Sequence, residues 1–193
     1  GKSAGASIAA GQTDTNGTVA IGWEALTNLT TGEKNTAVGY DALGDDTIGD
    51  QNTAIGYEAM RYFNASQDGA GKNTCVGYTA GYKLDNTGDD NTGQMNTIMG
   101  SNAGRWTTTG VSNTFLGEAC GWGDSVNLTG NNNTSEFESA GYTISGAAAY
   151  NTYIGSSAGL LATSALNNVA LGYQALYTNE EGDNNTAIGY QSL

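Results

Sequence analysis

Asn35-Thr36-Ala37-Val38-Gly39-Tyr40-Asp41-Ala42-Leu43 recurs 17 residues later as Asn52-Thr53-Ala54-Ile55-Gly56-Tyr57-Glu58-Ala59-Met60. It returns at the far end as Asn185-Thr186-Ala187-Ile188-Gly189-Tyr190-Gln191-Ser192-Leu193. Ten copies of this motif run along the 193-residue chain, most of them spaced by 17 residues. A fixed motif at a fixed period marks a stacked repeat architecture, in which each unit contacts mainly its neighbours. That pattern argues against a globular enzyme.

The central glycines number the coils: Gly22, Gly39, Gly56, Gly77, Gly100, Gly117, Gly155, Gly172 and Gly189. Five of the eight steps between them are 17 residues. Longer steps before Gly77 and Gly100 place inserted loops at 62–69 and 83–92. The 38-residue gap from Gly117 to Gly155 holds a degenerate copy at 133–141, with Phe137 in the glycine position. Residues 1–11 align with 71–81, which brings the expected total to about 11 coils. A second small column lies seven residues before the first: Gly32, Gly49, Gly93, Gly110, Gly130 and Gly182, with Ala148 and Ala165 in two coils. Two fixed small positions per coil predict two bends, hence two short strands per coil. Seventeen residues are too few for a helix, two strands and their loops. We therefore expect an all-β parallel solenoid or β-roll, one repeat domain over 1–193, rising about 4.8 Å per coil.

Alternation along the strand assigns the faces. The aliphatic column Ile21, Val38, Ile55, Val76, Met99, Leu116, Ile154, Leu171 and Ile188 is expected to be core. The threonine column two residues earlier, from Thr36 to Thr186, shares that face. The opposite face carries Ala20, Ala37, Ala54, Ala170 and Ala187, and in the middle Ile98, Phe115 and Tyr153. Such a flat face is expected to meet another chain, or else to line a second packed part of the same core. The column Asn35, Asn52, Asn73, Asn96, Asn113, Asn133, Asn151, Asn168 and Asn185 predicts a hydrogen-bonded amide ladder. The aromatic column Trp23, Tyr40, Tyr57, Tyr78, Tyr173 and Tyr190 offers ring faces to a glycan or a partner chain, or stacks for stability alone.

These repeats resemble the head repeats of trimeric autotransporter adhesins, the left-handed parallel β-roll typified by the Yersinia adhesin. They are also similar to the longer Asn-Thr-Ala-Ile-Gly-Tyr-Gln-Ala-Leu repeats of phage tail fibres and bacterial surface proteins. The resemblance covers nearly the whole chain. It implies a left-handed hand, a rigid extended rod, a homotrimer as one assembly, and a place outside the cell or on a cell or virion surface. The period is longer than the adhesin coil, and no neck or coiled-coil stalk is visible.

Composition excludes several functions. The formal charge is −13, from 19 acidic and 6 basic residues. Phosphate backbones and anionic membranes call for Lys and Arg clusters, so neither is an expected partner. No apolar run approaches the roughly 20 residues that span a bilayer. No secretory signal is visible. The chain has no His, which rules out Ser-His and Cys-His nucleophile pairs. It holds no Cys/His zinc constellation and no phosphate loop. We expect no enzyme and no cofactor. Carboxylates cluster at Asp45-Asp46-Asp50, Asp85-Asp89-Asp90 and Glu180-Glu181-Asp183, where solvated turns are expected and the spacing fits no standard calcium loop. Cys75 and Cys120 sit about two coils apart at different repeat positions, so free or intermolecular thiols are expected. Asn28, Asn64 and Asn127 begin Asn-x-Ser/Thr in expected outward loops and are the candidate glycosylation sites.

Three functions compete on this reading. The first is the structural subunit of an extracellular fibre. Neither end shows a capping helix or divergent polar coil, so the ends are expected to stack head to tail. The second is an adhesin head or tail-fibre segment that recognises a cell-surface glycan through the tyrosine column or the inserted loops. The third is ice binding by the threonine column, which the expected core-facing side of that column opposes.

Overall fold

The computed structural model describes residues 3–6, 16–65, 67, 70–85, 92–123 and 127–193. Parts of both inserted loops, most of residues 1–11, and Asp89 and Asp90 lie outside the described residues. Ten three-residue strands follow in order: β1 (Val19–Ile21), β2 (Thr36–Val38), β3 (Thr53–Ile55), β4 (Thr74–Val76), β5 (Thr97–Met99), β6 (Thr114–Leu116), β7 (Thr134–Glu136), β8 (Thr152–Ile154), β9 (Val169–Leu171) and β10 (Thr186–Ile188). They form one parallel sheet in sequence order, each strand pairing with the next. Register is strict, motif position on motif position, as in Ala37 beside Ala54 and Val38 beside Ile55. The chain is a β-solenoid, about nine turns from β1 to β10. Among the described residues there is no helix, and so none long and apolar enough to cross a membrane.

Each coil carries one regular strand, not two. Among the described residues, only isolated parallel bridges form on the second side of the coil, such as Asp50 to Gly71 and Thr107 to Leu128. The asparagine ladder explains why that side needs no second sheet. Asn96 accepts from the Asn113 backbone amide at 2.9 Å and from its Nδ2 at 3.2 Å. Asn96 Nδ2 in turn donates to Asn73 Oδ1 at 3.2 Å and to the Gly110 carbonyl at 2.9 Å. The same pattern runs to Asn168, whose Nδ2 donates to Gly182 O at 2.8 Å. The ladder thus ties the strand to the second small column, whose carbonyls would otherwise be orphaned.

The face assignment from hydrophobicity is reversed in the fold. The middle residue of every strand from β2 to β10 is buried, so the small column points inward. The aliphatic and threonine columns point outward: Ile55 is 38%, Met99 43% and Leu171 44% exposed. Parity gives the reason. Asn35 and Ala37 lie two residues apart on one side of the strand, and a buried amide ladder brings its alanine neighbour inside with it. The alanine face is therefore the interior of this chain and not a contact between chains.

In most coils two inward positions trade volume, and only Cys75 with Gly81 and Ser135 with Gly141 are small at both. In several coils a small inward strand residue is followed six positions later by a large one: Ala37 with Leu43, Ala54 with Met60, Ala170 with Leu176. Where it is large, that later residue is glycine: Ile98 with Gly104, Phe115 with Gly121, Tyr153 with Gly159. A Cβ on Gly121 would lie 2.6 Å from the Phe115 ring, and one on Gly159 2.7 Å from the Tyr153 ring. Close packing leaves no room for two large residues in one layer.

Asp46 breaks the apolar interior. It is fully buried, in the column that holds Leu29, Phe63 and Leu84 in neighbouring coils, and not in a solvated turn. Its Oδ1 accepts from Gly49 N at 3.0 Å and Ala65 N at 3.4 Å, while Oδ2 has no protein partner. Burial pushes its carboxyl up to about 6, against the nearby backbone amides that favour the charged form. A raised carboxyl stabilises the fold below its ordinary value near 3.8 and loses that contribution as pH rises through about 6. Between pH 4 and pH 7 this amounts to about 2 kcal/mol. Denaturant titration of the wild type and Asp46→Asn at both pH values should show the stability difference between them changing by that amount. An unchanged difference would mean that Asp46 does not titrate in this range.

Candidate functional site

Two surfaces carry side chains that the fold itself does not use. The first is the outward face of the sheet. Thr36, Thr53, Thr74, Thr97 and Thr114 form one axial row, and Val38, Ile55, Val76, Met99 and Leu116 form the next. Only coil 7 interrupts the aliphatic row, with Glu136. Beyond the central glycine the tyrosines stack. Ring centroids are 5.1 Å apart for Tyr40 and Tyr57, 5.4 Å for Tyr57 and Tyr78, and 5.4 Å for Tyr173 and Tyr190. These rings and Trp23 are 43% exposed or more. Stacking along the axis covers both faces of Tyr57 and one face of Tyr78, Tyr173 and Tyr190 with a neighbouring ring. Ser101, Glu118 and Ser156 break the column into these two short stacks, so it offers no continuous aromatic platform.

The second surface is a groove of about 610 Å³ on the turn side of coils 2 to 6. Two outward columns line it. Asp45, Tyr62, Lys83 and Trp106 stand six residues past their central glycines, and Asn64, Asp85 and Thr108 stand two residues further on. Asn127 closes the far end. Backbone bonds hold the first column in step: Tyr62 N donates to Tyr82 O at 3.2 Å, and Lys83 N to Arg105 O at 3.0 Å. Lys83 Nζ lies 4.5 Å from the Tyr62 ring centre and 5.8 Å from that of Trp106, a cation between two rings. Arg61 pairs with Asp45 at 2.6 Å and also with Asp41. Arg105 lies over Tyr82, which packs edge-on against Tyr62. Three of the chain's six basic residues, Arg61, Lys83 and Arg105, thus gather around one groove in a strongly acidic protein. Sequence reasoning named the inserted loops here but missed the groove. The signal was present: aromatic and basic residues fall at one motif position in successive coils.

The candidate glycosylation sites all face outward. Asn64 and Asn127 line the groove, and Asn64 Oδ1 accepts from Thr47 Oγ1 at 2.9 Å. Asn28 is exposed, but its Nδ2, the atom a glycan would occupy, donates to Gly44 O at 2.7 Å. Both cysteines are free and buried. Burial pushes the Cys75 thiol well up and the Cys120 thiol up to about 12, and Cys120 Sγ lies 2.9 Å from Ser135 O. Neither has the character of a reactive thiol. Among the described residues no group of three or more Cys, Asp or Glu side chains is placed to hold a metal ion. No family model matches the chain, and neither curated proteins nor solved structures yield a match.

Proposed function

We propose that the chain is a structural subunit of an extracellular fibre, and that copies associate through the outward sheet face and by end-to-end coil stacking. One observation carries this reading: an unbroken rod presents its aliphatic column to solvent instead of burying it. The face is about 43 Å long, from nine steps of about 4.8 Å, and about 15 Å wide from threonine to tyrosine. Two copies would bury about 1,300 Å² together, within the range of specific interfaces. A second copy is the fitting occupant because its ridges repeat at the same axial spacing. Each coil also presents the backbone pattern that the next coil accepts, so an identical coil from another copy pairs by the same bonds.

Ile55→Asp combined with Leu171→Asp should abolish association and leave the melting temperature within a few degrees of wild type, since both side chains point outward. Sedimentation velocity and electron microscopy of the purified chain test this. Wild type that stays a dispersed monomer at high concentration would overturn the reading, as would a double variant that assembles normally. The outward threonine column favours a second reading, ice binding, because the objection that it faced the core no longer stands. Thermal hysteresis from the assembly-deficient variant would support it; the fibre reading expects none.

A further inference from the structure

We propose that the groove on coils 2 to 6 binds a neutral oligosaccharide lying parallel to the solenoid axis. The groove and an extended sugar chain share a period. Successive residues of the lining column are one coil apart, about 4.8 Å, and a pyranose in an extended β-1,4-linked chain advances about 5 Å, so rings and coils stay in step. Lys83 Nζ lies over the Tyr62 ring and has to swing aside before Tyr62 and Trp106, two coils apart, can receive alternate rings on their faces. The apolar C–H face of a pyranose suits an aromatic platform, and its equatorial hydroxyls need donors and acceptors at the edge. Asn64, Thr108 and Asn127 supply amide and hydroxyl groups on the second column, and Asp85 supplies a carboxylate.

Charge selects a neutral ligand. Asp45 is paired with Arg61, and Lys83 stands beside Asp85 in the lining, so the groove itself is close to balanced. The chain as a whole, at −13, repels polyanions. A polycation would need more uncompensated carboxylate than the groove offers. The proposal does not rest on the fibre reading, because groove and sheet face occupy different sides of the coil.

The test is calorimetric titration of the unglycosylated chain with cellohexaose, β-1,4-mannohexaose and chitohexaose, beside a hyaluronan hexasaccharide. At least one neutral hexasaccharide should bind, with the matching disaccharide at least tenfold weaker. Trp106→Ala and Tyr62→Ala should each weaken binding at least tenfold, while Tyr173→Ala and the double variant Ile55→Asp, Leu171→Asp change nothing. Asn127→Arg, at an exposed position, obstructs the groove without removing packing and should also abolish binding if Trp106→Ala fails to fold. No neutral hexasaccharide binding at millimolar concentration would overturn the proposal. So would binding that survives both Trp106→Ala and Asn127→Arg, or binding of the anionic sugar alone. A glycan attached to Asn64 or Asn127 in the native protein, read by mass spectrometry, would overturn it too, because that glycan would fill the groove.

Discussion

Gly56→Ala is expected to destabilise the protein by about 4 kcal/mol or more. The backbone at Gly56 has φ near +141°, a region that alanine adopts only under strain. The added Cβ would also run into the Gly77 carbonyl of the next coil, 2.6 Å from its carbon. Neither residue can retreat. Gly56 N is bonded to Val38 O and Gly77 N to Ile55 O, each at 2.8 Å, so relief on one side breaks the ladder on the other. The degenerate coil supplies the opposite substitution. Phe137 occupies the glycine position with φ +83°, is 59% exposed, and the Gly155 N to Glu136 O bond beside it stretches to 3.2 Å. Phe137→Gly should therefore stabilise by about 1 kcal/mol. Urea denaturation of both variants decides the matter. A Gly56→Ala chain as stable as wild type would show that coils slide past one another freely.

Asn113→Ala should cost about 4 kcal/mol, a magnitude set by how many buried groups it orphans. Asn113 is fully buried. Its Oδ1 accepts from Asn133 N at 2.9 Å and Asn133 Nδ2 at 3.0 Å, and its Nδ2 donates to Asn96 Oδ1 at 3.2 Å and Gly130 O at 3.1 Å. Alanine keeps the strand and removes all four bonds. The Asn133 amide and the Gly130 carbonyl stay inside the wall without partners or water. Asn113→Asp should cost more at pH 7 than at pH 4, since a buried carboxylate would face Asn96 Oδ1 and Gly130 O, both acceptors. Hydrogen exchange should show protection lost first around coils 6 and 7. A uniform loss over the chain, or a cost below about 1 kcal/mol, would mean that the ladder follows the fold and does not hold it.

The candidate site was only partly legible. The tyrosine rows were visible as a column, but only the geometry shows them stacked on one another. The groove residues lie in and beside the inserted loops, where the period slips by four to six residues and column reading loses its frame. Asp46 sits between Asp45 and Thr47, so its immediate neighbours gave no sign that its side chain turns inward.

By itself the sequence determined the repeat, the parallel register and the amide ladder. Each follows from identical residues recurring at one spacing, which admits few other pairings. It also held the exchange of volume between two inward positions, Ala37 with Leu43 in one coil and Phe115 with Gly121 in another. Which face became the interior was decided only by the tertiary structure. Where leucine or methionine follows six residues later, the coil leaves room only for alanine beside it and the buried asparagine, and Ile98, Phe115 and Tyr153 enter where that later residue is glycine. The narrower alanine column went inside, and the more hydrophobic column was left on the surface. Hydrophobicity ranks residues by their gain on leaving water, but the cross-section of the coil sets what fits.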